Sequence, residues 1–511
     1  MNLTKSVPFS PTSPSRWWRT AIRSAADQDV APCAPAGRLG LHKALLCQRR
    51  PCQRARGVTA LLAAFLLTAC TGPGVDHPAI APGVKDLHGK ITAEPTRLEL
   101  YPEYLRLQLE QRDIDGALDT AKFCIEHNRD DYRAWLLSAT AHKASAMVGR
   151  ERAFVETHDA LLRAHQLSST RHETAEALAS FAHETWRPKD ERKWREEALQ
   201  AAPPELVDEL RLALASLCFE QGDMTASRET LAAISKPSWS AFALGVKLEL
   251  VEHGLDAALK KLAEFTERQE PYYALAFRLA TSATTRDHIE ICEHIFTDGL
   301  TNNEAPQIRL TCLFGLWECA WIGHDIAKGR GAPAGADAFA GRIEQVDEFH
   351  PEWVTRACTM ARATGDDGMR DAMEKRLESM GVAPPPEWKN LRDAVLAWRV
   401  EDLRRLSCHG MAFETMRSLC GETNDQQLVA GLATLALDGG KPDDALTFLA
   451  RLPEPNAQRT APLRWRALLQ DGRAPEVHKE VNALRLTEAP VGSPITLNLF
   501  AVTSELHIAL K

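Results

Sequence analysis

From Glu205 to Phe219 the chain reads E-L-V-D-E-L-R-L-A-L-A-S-L-C-F, with apolar side chains returning at the spacing of one helix face. Glu220-Gln221-Gly222-Asp223 breaks the pattern with turn residues. M-T-A-S-R-E-T-L-A-A-I then resumes it, and Ser235-Lys236-Pro237 stops it. The same two-helix phrase fills the Lys85 to Asp131 region: E-Y-L-R-L-Q-L-E, a turn at Gln111-Arg112-Asp113, then G-A-L-D-T-A-K-F-C-I-E-H. No stretch of 18 or more apolar residues occurs, which excludes a polytopic membrane protein.

Prolines give the period of this phrase. Pro203, Pro237, Pro271 and Pro306 are spaced 34, 34 and 35, and the pairs Pro351/Pro386 and Pro455/Pro490 are each 35 apart. Pro95 and Asp130 are also 35 apart, and Gly421 falls 35 after Pro386 and 34 before Pro455. A proline at a unit junction costs little in a first helical turn and keeps one helix from running into the next. Two intervals are longer, Asp130 to Ser169 and Pro306 to Pro351. The second surplus is expected in the loop G-R-G-A-P-A-G-A-D, Gly329 to Asp337.

A two-helix unit of 34 residues resembles the tetratricopeptide repeat. The resemblance spans roughly residues 90–511, in about eleven or twelve units. It implies an all-α, right-handed α-solenoid of antiparallel helix pairs, with first helices lining a concave face. It also implies small residues where the two helices of a unit cross, 22 and 29 residues after the junction proline. Those positions hold Ala117 and Cys124 counted from Pro95, Ala226 and Ala233 counted from Pro204, and Cys408 at the first site counted from Pro386. Asp443 to Ala450 looks like a second helix, and the run from Asn128 like a first helix. Other units depart: Glu293 and Lys328 fall on the small site counted from Pro271 and Pro306. In such an array each unit buries its apolar face against its neighbours, so a disruptive change is expected to act locally.

The N-terminal part reads as an address. Arg49, Arg50, Arg54 and Arg56 precede a short apolar run, Gly57 to Cys70, with a small-residue exit. This is the pattern of a secretory signal peptide. Leu67-Thr68-Ala69-Cys70 resembles the lipobox of bacterial lipoproteins, which implies cleavage between Ala69 and Cys70 and a lipid on the Cys70 thiol. The expected organisation is therefore 1–56, an extension or an upstream misassigned start; 57–70, a lipoprotein signal peptide; 71–90, a flexible tether; and 91–511, the repeat body.

Charge and chemistry narrow the function. The whole chain carries −8; residues 1–70 hold 10 basic and 2 acidic residues, so the rest, with 51 and 67, carries −16. Such a body repels nucleic acid and anionic headgroups. Membrane attachment then depends on acyl chains. Eight cysteines follow Cys70, with no C-x-x-C among them. They read as small buried hydrophobes, with Cys408 and Cys420 as a pair that a helix-turn would allow to bridge. Asp287, Glu290 and His294 share a helix face, as do His288 and Cys292; His158, His165 and His172 recur every seven residues. These are incomplete zinc sets and read as solvated polar faces. The run Trp186 to Arg195 reads as a solvated loop entering a helix. Gly89-Lys90-Ile91 and Gly440-Lys441-Pro442 lack the rest of a phosphate loop, and no G-x-S-x-G occurs.

No catalytic, cofactor-binding or metal residue is assigned, and no enzyme activity is expected. The expected function is an envelope scaffold, lipid-anchored at Cys70 and facing the periplasm from the outer membrane. It would hold a protein or peptide partner along the first helices. Capture of a small solute or glycan is the alternative. Lys247 on a first helix and Lys261 on a second helix are both expected on solvated faces.

Overall fold

The computed structural model describes residues 82–236, 238–329, 333–453, 460–487 and 494–510. The apolar run, Ala69 and Cys70 lie outside the described residues. Among those described there are 24 α-helices, one 3-10 turn and no strand. The chain is all-α, an α-solenoid class of tandem antiparallel helix pairs.

The helices run in order α1 (Pro82–Ala93), α2 (Tyr101–Glu110), α3 (Ile114–His127), α4 (Tyr132–Met147), α5 (Ala153–Leu167) and α6 (His172–Glu184). Then come α7 (Pro188–Gln200), α8 (Val207–Glu220), α9 (Met224–Ala232), α10 (Trp239–His253), α11 (Leu255–Ala263), α12 (Glu270–Ala280) and α13 (Arg286–Asn302). They continue with α14 (Pro306–Ile326), α15 (Ala336–Asp347), α16 (Pro351–Thr364), α17 (Asp367–Ser379), α18 (Leu391–Arg405) and α19 (His409–Cys420). The series ends with α20 (Gln426–Asp438), α21 (Pro442–Leu449), α22 (Ala461–Gln470), α23 (Ala474–Thr487) and α24 (Pro494–Ala509).

Local chemistry sets the helix starts. Asp113, Asp131, Asp223, Ser238, Thr285, Asp366, Asn390 and Asp425 each accept a first-turn backbone N–H at their helix N-terminus. Such caps are each worth about 1 kcal/mol. Pro271, Pro306 and Pro351 occupy the first or second helical position of α12, α14 and α16, where no N–H is missed. The turns expected at 111–113 and 220–223 are where the chain reverses.

Contacts divide the described residues into two compact units, one from the segments up to 187 and from 472 onward, the other within 188–471. In the second unit one apolar core runs without a break from Ala215 to Ala467, so stacked pairs bury what no single pair could.

The first unit corrects the picture of purely local contacts. Its last helix, α24, packs back on α4 and α5. The Arg152 backbone N–H donates to Glu505 at 2.9 Å, His507 Nε2 donates to the Thr185 carbonyl at 2.6 Å, and Trp186 stacks on Phe500 with ring centroids 5.0 Å apart. Gly149, at φ +82°, lies so close to Asn498 that a Cβ there would collide with it.

Other expectations change in detail. The 71–90 tether is too long, because α1 already spans Pro82–Ala93. The surplus between Pro306 and Pro351 is shared, because α14 is 21 residues long and helical to Ile326, before the loop. Trp194, in the run read as a solvated entry, is buried on α7. Ala117 and Cys124 are fully buried small residues as expected. In the Pro204 unit Ser227 takes that role instead, buried and donating to the Ala215 carbonyl at 2.8 Å, while Ala226 is half-buried and Ala233 exposed. In the Pro271 unit the phase shifts back by one. Glu293 is half-buried, and the fully buried small residues are Cys292 and Gly299.

Candidate functional site

The first helices of the second unit were expected to present a free face. Instead α12, α14, α16 and α18 turn their polar side chains on one another, and α12 and α14 both touch α18. Arg278 of α12 donates from Nη2 to Glu352 of α16 at 2.7 Å and from Nη1 to Asp402 of α18 at 2.7 Å. Arg356 of α16 donates to Glu318 of α14, and to Asp402 at 2.6 Å. Arg405 adds a bond to Glu352 at 2.9 Å. Glu318 and Asp402 have no exposed side-chain surface. Phe277 and Trp398 lie against the Arg356 guanidinium, 5.0 and 5.7 Å from ring centroid to Cζ. Trp317 packs edge-on to Trp353 at 4.9 Å. Arg399 reaches back from α18 to donate to the Thr281 and Ala283 carbonyls at 2.7 and 2.9 Å, satisfying the open end of α12.

The electrostatics follow from burial. Desolvation pushes the Glu318 carboxyl up to about 8, against the pull of Arg356. Burial would raise Glu352 as well, but the Arg278 hydrogen bond and the charges of Arg356, Arg278 and Arg405 prevail and hold it well below the usual carboxylate range. Buried ion groups of this kind stay put only while each partner is present.

Lys247 also departs from expectation. It is half-buried on α10, and desolvation lowers its ammonium against the opposing pull of groups that include Glu220. Lys261 on α11 is partly exposed as expected, paired with Glu264 at 2.5 Å.

The first unit has a more open surface. The turn between α3 and α4 and the turn before α6 border a cavity of about 790 Å³, lined by His127, Asn128, Arg129, Asp130, Asp131, Tyr132, Arg133 and Arg171. Asn128 Nδ2 braces the first turn by donating to the Pro95 and Cys124 carbonyls at 3.0 and 3.1 Å. Trp135 Nε1 donates to the Arg129 carbonyl at 2.9 Å. Asp131 caps α4, and the Arg133 side chain holds its carboxyl below the usual range. Arg129 and Arg171 are exposed and have no ion-pair partner among the described residues. A second cavity of about 450 Å³ on α4 and α5 includes Trp135, His142, Glu156 and Arg163. The sequence signal for this surface was small: two arginines in inter-helix turns 42 residues apart.

The histidine sets do not form solvated faces throughout. Asp287, Glu290 and His294 are exposed. His288 is buried and binds Asp256 of α11 through Nε2 at 2.8 Å. His158 is buried too, and His165 Nδ1 lies 3.0 Å from Thr174 Oγ1. Among the described residues no group of three or more His, Cys, Asp or Glu side chains is arranged to hold a metal ion. The eight body cysteines are free thiols, all but Cys420 buried. The alternative of a Cys408–Cys420 bridge is excluded: they stand at opposite ends of α19, some 12 residues or about 18 Å along its axis.

No protein family and no curated protein matches the sequence. Among solved structures, the chain is similar to the human IFIT1 dimer with PPP-AAAA at 11% identity and a TM-score of 0.29, over 72% of this chain and 85% of that one. It is also similar to the structure of Naa15/Naa10 bound to HypK-THB, at 13% identity and a TM-score of 0.23, over 88% and 79%. By its own helices and core, the chain is an all-α helical-repeat protein.

Proposed function

We propose that the protein is an exported, lipid-anchored scaffold that binds a protein or peptide partner, with no enzyme activity of its own. Anchoring rests on the apolar run that ends in Leu67-Thr68-Ala69-Cys70. The observation that carries the binding role is the cavity of the first unit, where Arg129 and Arg171 stand without ion partners among the described residues. In the second unit the polar side chains of α12, α14, α16 and α18 are engaged with one another, which favours the turns around that cavity as the partner surface. Two guanidiniums beside Tyr132 suit a carboxylate-bearing segment, because arginine forks bind carboxylates in pairs. The acidic body disfavours nucleic acid as the partner.

Affinity capture from crosslinked envelopes tests the reading. The wild-type chain should retain a discrete partner, and Arg129→Glu/Arg171→Glu should lose it while keeping its helical circular dichroism. Equal capture by both proteins would refute the assigned surface. For the anchor, Cys70→Ser should abolish incorporation of labelled palmitate; continued labelling would refute it.

A further inference from the structure

We infer that Cys292 and Cys319 are a disulfide-forming pair that staples α13 to α14. These consecutive antiparallel helices approach closely because glycines lie between them. A Cβ at Gly299 would collide with Cys312 Sγ, and one at Gly315 would lie 2.5 Å from the Phe296 ring. Gly299 thus faces Cys312, and Phe296 faces Gly315. Four residues back from Phe296 on α13 is Cys292, and four forward from Gly315 on α14 is Cys319. Seven back from Gly299 and seven forward from Cys312 reach the same two residues. In an antiparallel pair this register sets Cys292 opposite Cys319.

Proximity agrees with register. Cys292 is the leading cause that pushes the Cys319 thiol well above its usual range, and neither residue has exposed surface. A disulfide needs facing Cβ atoms on backbones closer than an ordinary helix pair provides, and the glycine contacts supply that approach. Among the other six body cysteines, Cys312 faces a glycine and Cys408 and Cys420 sit at opposite ends of one helix.

The step requires a disulfide carrier such as oxidised glutathione. One cysteine, as thiolate, attacks a carrier sulfur and releases a carrier thiol. The second then attacks the mixed disulfide and releases the other carrier thiol. One carrier S–S bond and two protein S–H bonds break; one protein S–S bond and two carrier S–H bonds form. The cysteines lose two electrons and the carrier gains them. In the packed state both sulfurs are shielded and the Cys319 thiol is pushed well above its usual range, so exchange belongs to the stage before α13 and α14 close. The inference does not depend on export: it names which thiols join wherever a disulfide carrier meets the folding chain.

The test is disulfide mapping of the full chain, reduced in denaturant and refolded in a buffer of reduced and oxidised glutathione. After denaturation with N-ethylmaleimide, digestion and mass spectrometry should recover the Cys292 peptide joined to the Cys319 peptide. Cys292→Ala and Cys319→Ala should each abolish that species. Both cysteines alkylated, or bridged to other cysteines, would overturn the assignment. Chain translated in vitro with oxidised glutathione present, mapped the same way without refolding, should yield the same joined peptides.

Discussion

Arg356 on α16 donates from Nη2 to Asp402 Oδ1 on α18 at 2.6 Å, across 46 residues of chain. Asp402 also receives Arg278 from α12, and its side chain is fully buried. Asp402→Ala therefore takes a shared carboxylate from two guanidiniums, buried Arg356 and half-buried Arg278, and should cost about 3–5 kcal/mol. The double change Asp402→Leu/Arg356→Met should cost less than Asp402→Ala alone, because it removes a buried charge with its partner. Urea unfolding of the three proteins decides this, and a larger loss in the double variant contradicts it.

Glu318 makes stability depend on pH. Its folded carboxyl titrates at about 8, against 4.5 unperturbed, and its Oε2 has no hydrogen-bond partner among the described residues. The neutral form is thus favoured on folding. Its contribution is full below about 4.5, declines as pH rises and is gone above about 8. Glu352 acts with the opposite sign: its lowered carboxyl stabilises above 4.5, and that contribution is lost as pH falls. Between about pH 5 and pH 8 the wild-type urea midpoint should fall with rising pH, and in Glu318→Gln it should be flatter. Parallel slopes for the two proteins would remove Glu318 from the account.

Lys247 and Lys261 separate a lining position from an outer one. Lys247→Glu places an anion in a desolvated spot near Glu220 and should cost about 1–3 kcal/mol. Lys261→Glu breaks a partly exposed pair with Glu264 and should cost less than about 1 kcal/mol. Thermal unfolding gives the ranking, and equal losses would mean that Lys247 is solvated after all.

The C-terminal pair should protect residues far from it in sequence. Phe500 is buried and stacks on Trp186, so Phe500→Ala should cost about 3–5 kcal/mol within the first unit. Amide exchange in the 153–184 segment should accelerate, while exchange around Trp317 and Trp353 should hold. Unchanged exchange in α5 and α6 would show that α24 does not brace them.

Helix pairs were legible because their causes are local. The proline ruler, Asp113 and Asp223 as caps, and the turns at 111–113 and 220–223 act within a few residues, and the helices begin and end where they indicate. Which side chain fills the crossing was less legible. A one-residue change of phase hands the position from Ala226 to Ser227, and from Glu293 to Cys292. Counting from a proline cannot resolve one residue when the proline itself can sit before the helix or inside its first turn.

The sequence pattern groups His288 with solvated side chains because its partner, Asp256, lies 32 residues earlier on another helix. The bridge left open for Cys408 and Cys420 fails because the segment between them is one helix, while Cys292 and Cys319 lie opposite each other because theirs is a reversal. By itself the sequence determined the all-α class, the unit length and the helix ends, since these follow from hydrophobic period and capping over short spans. Only the tertiary structure decided that Arg278, Glu318, Glu352, Arg356 and Asp402 would meet, and that α24 would return to α4 and α5. Those outcomes depend on which helices pack together across tens to hundreds of residues, where charge pattern alone permits many pairings and burial selects one.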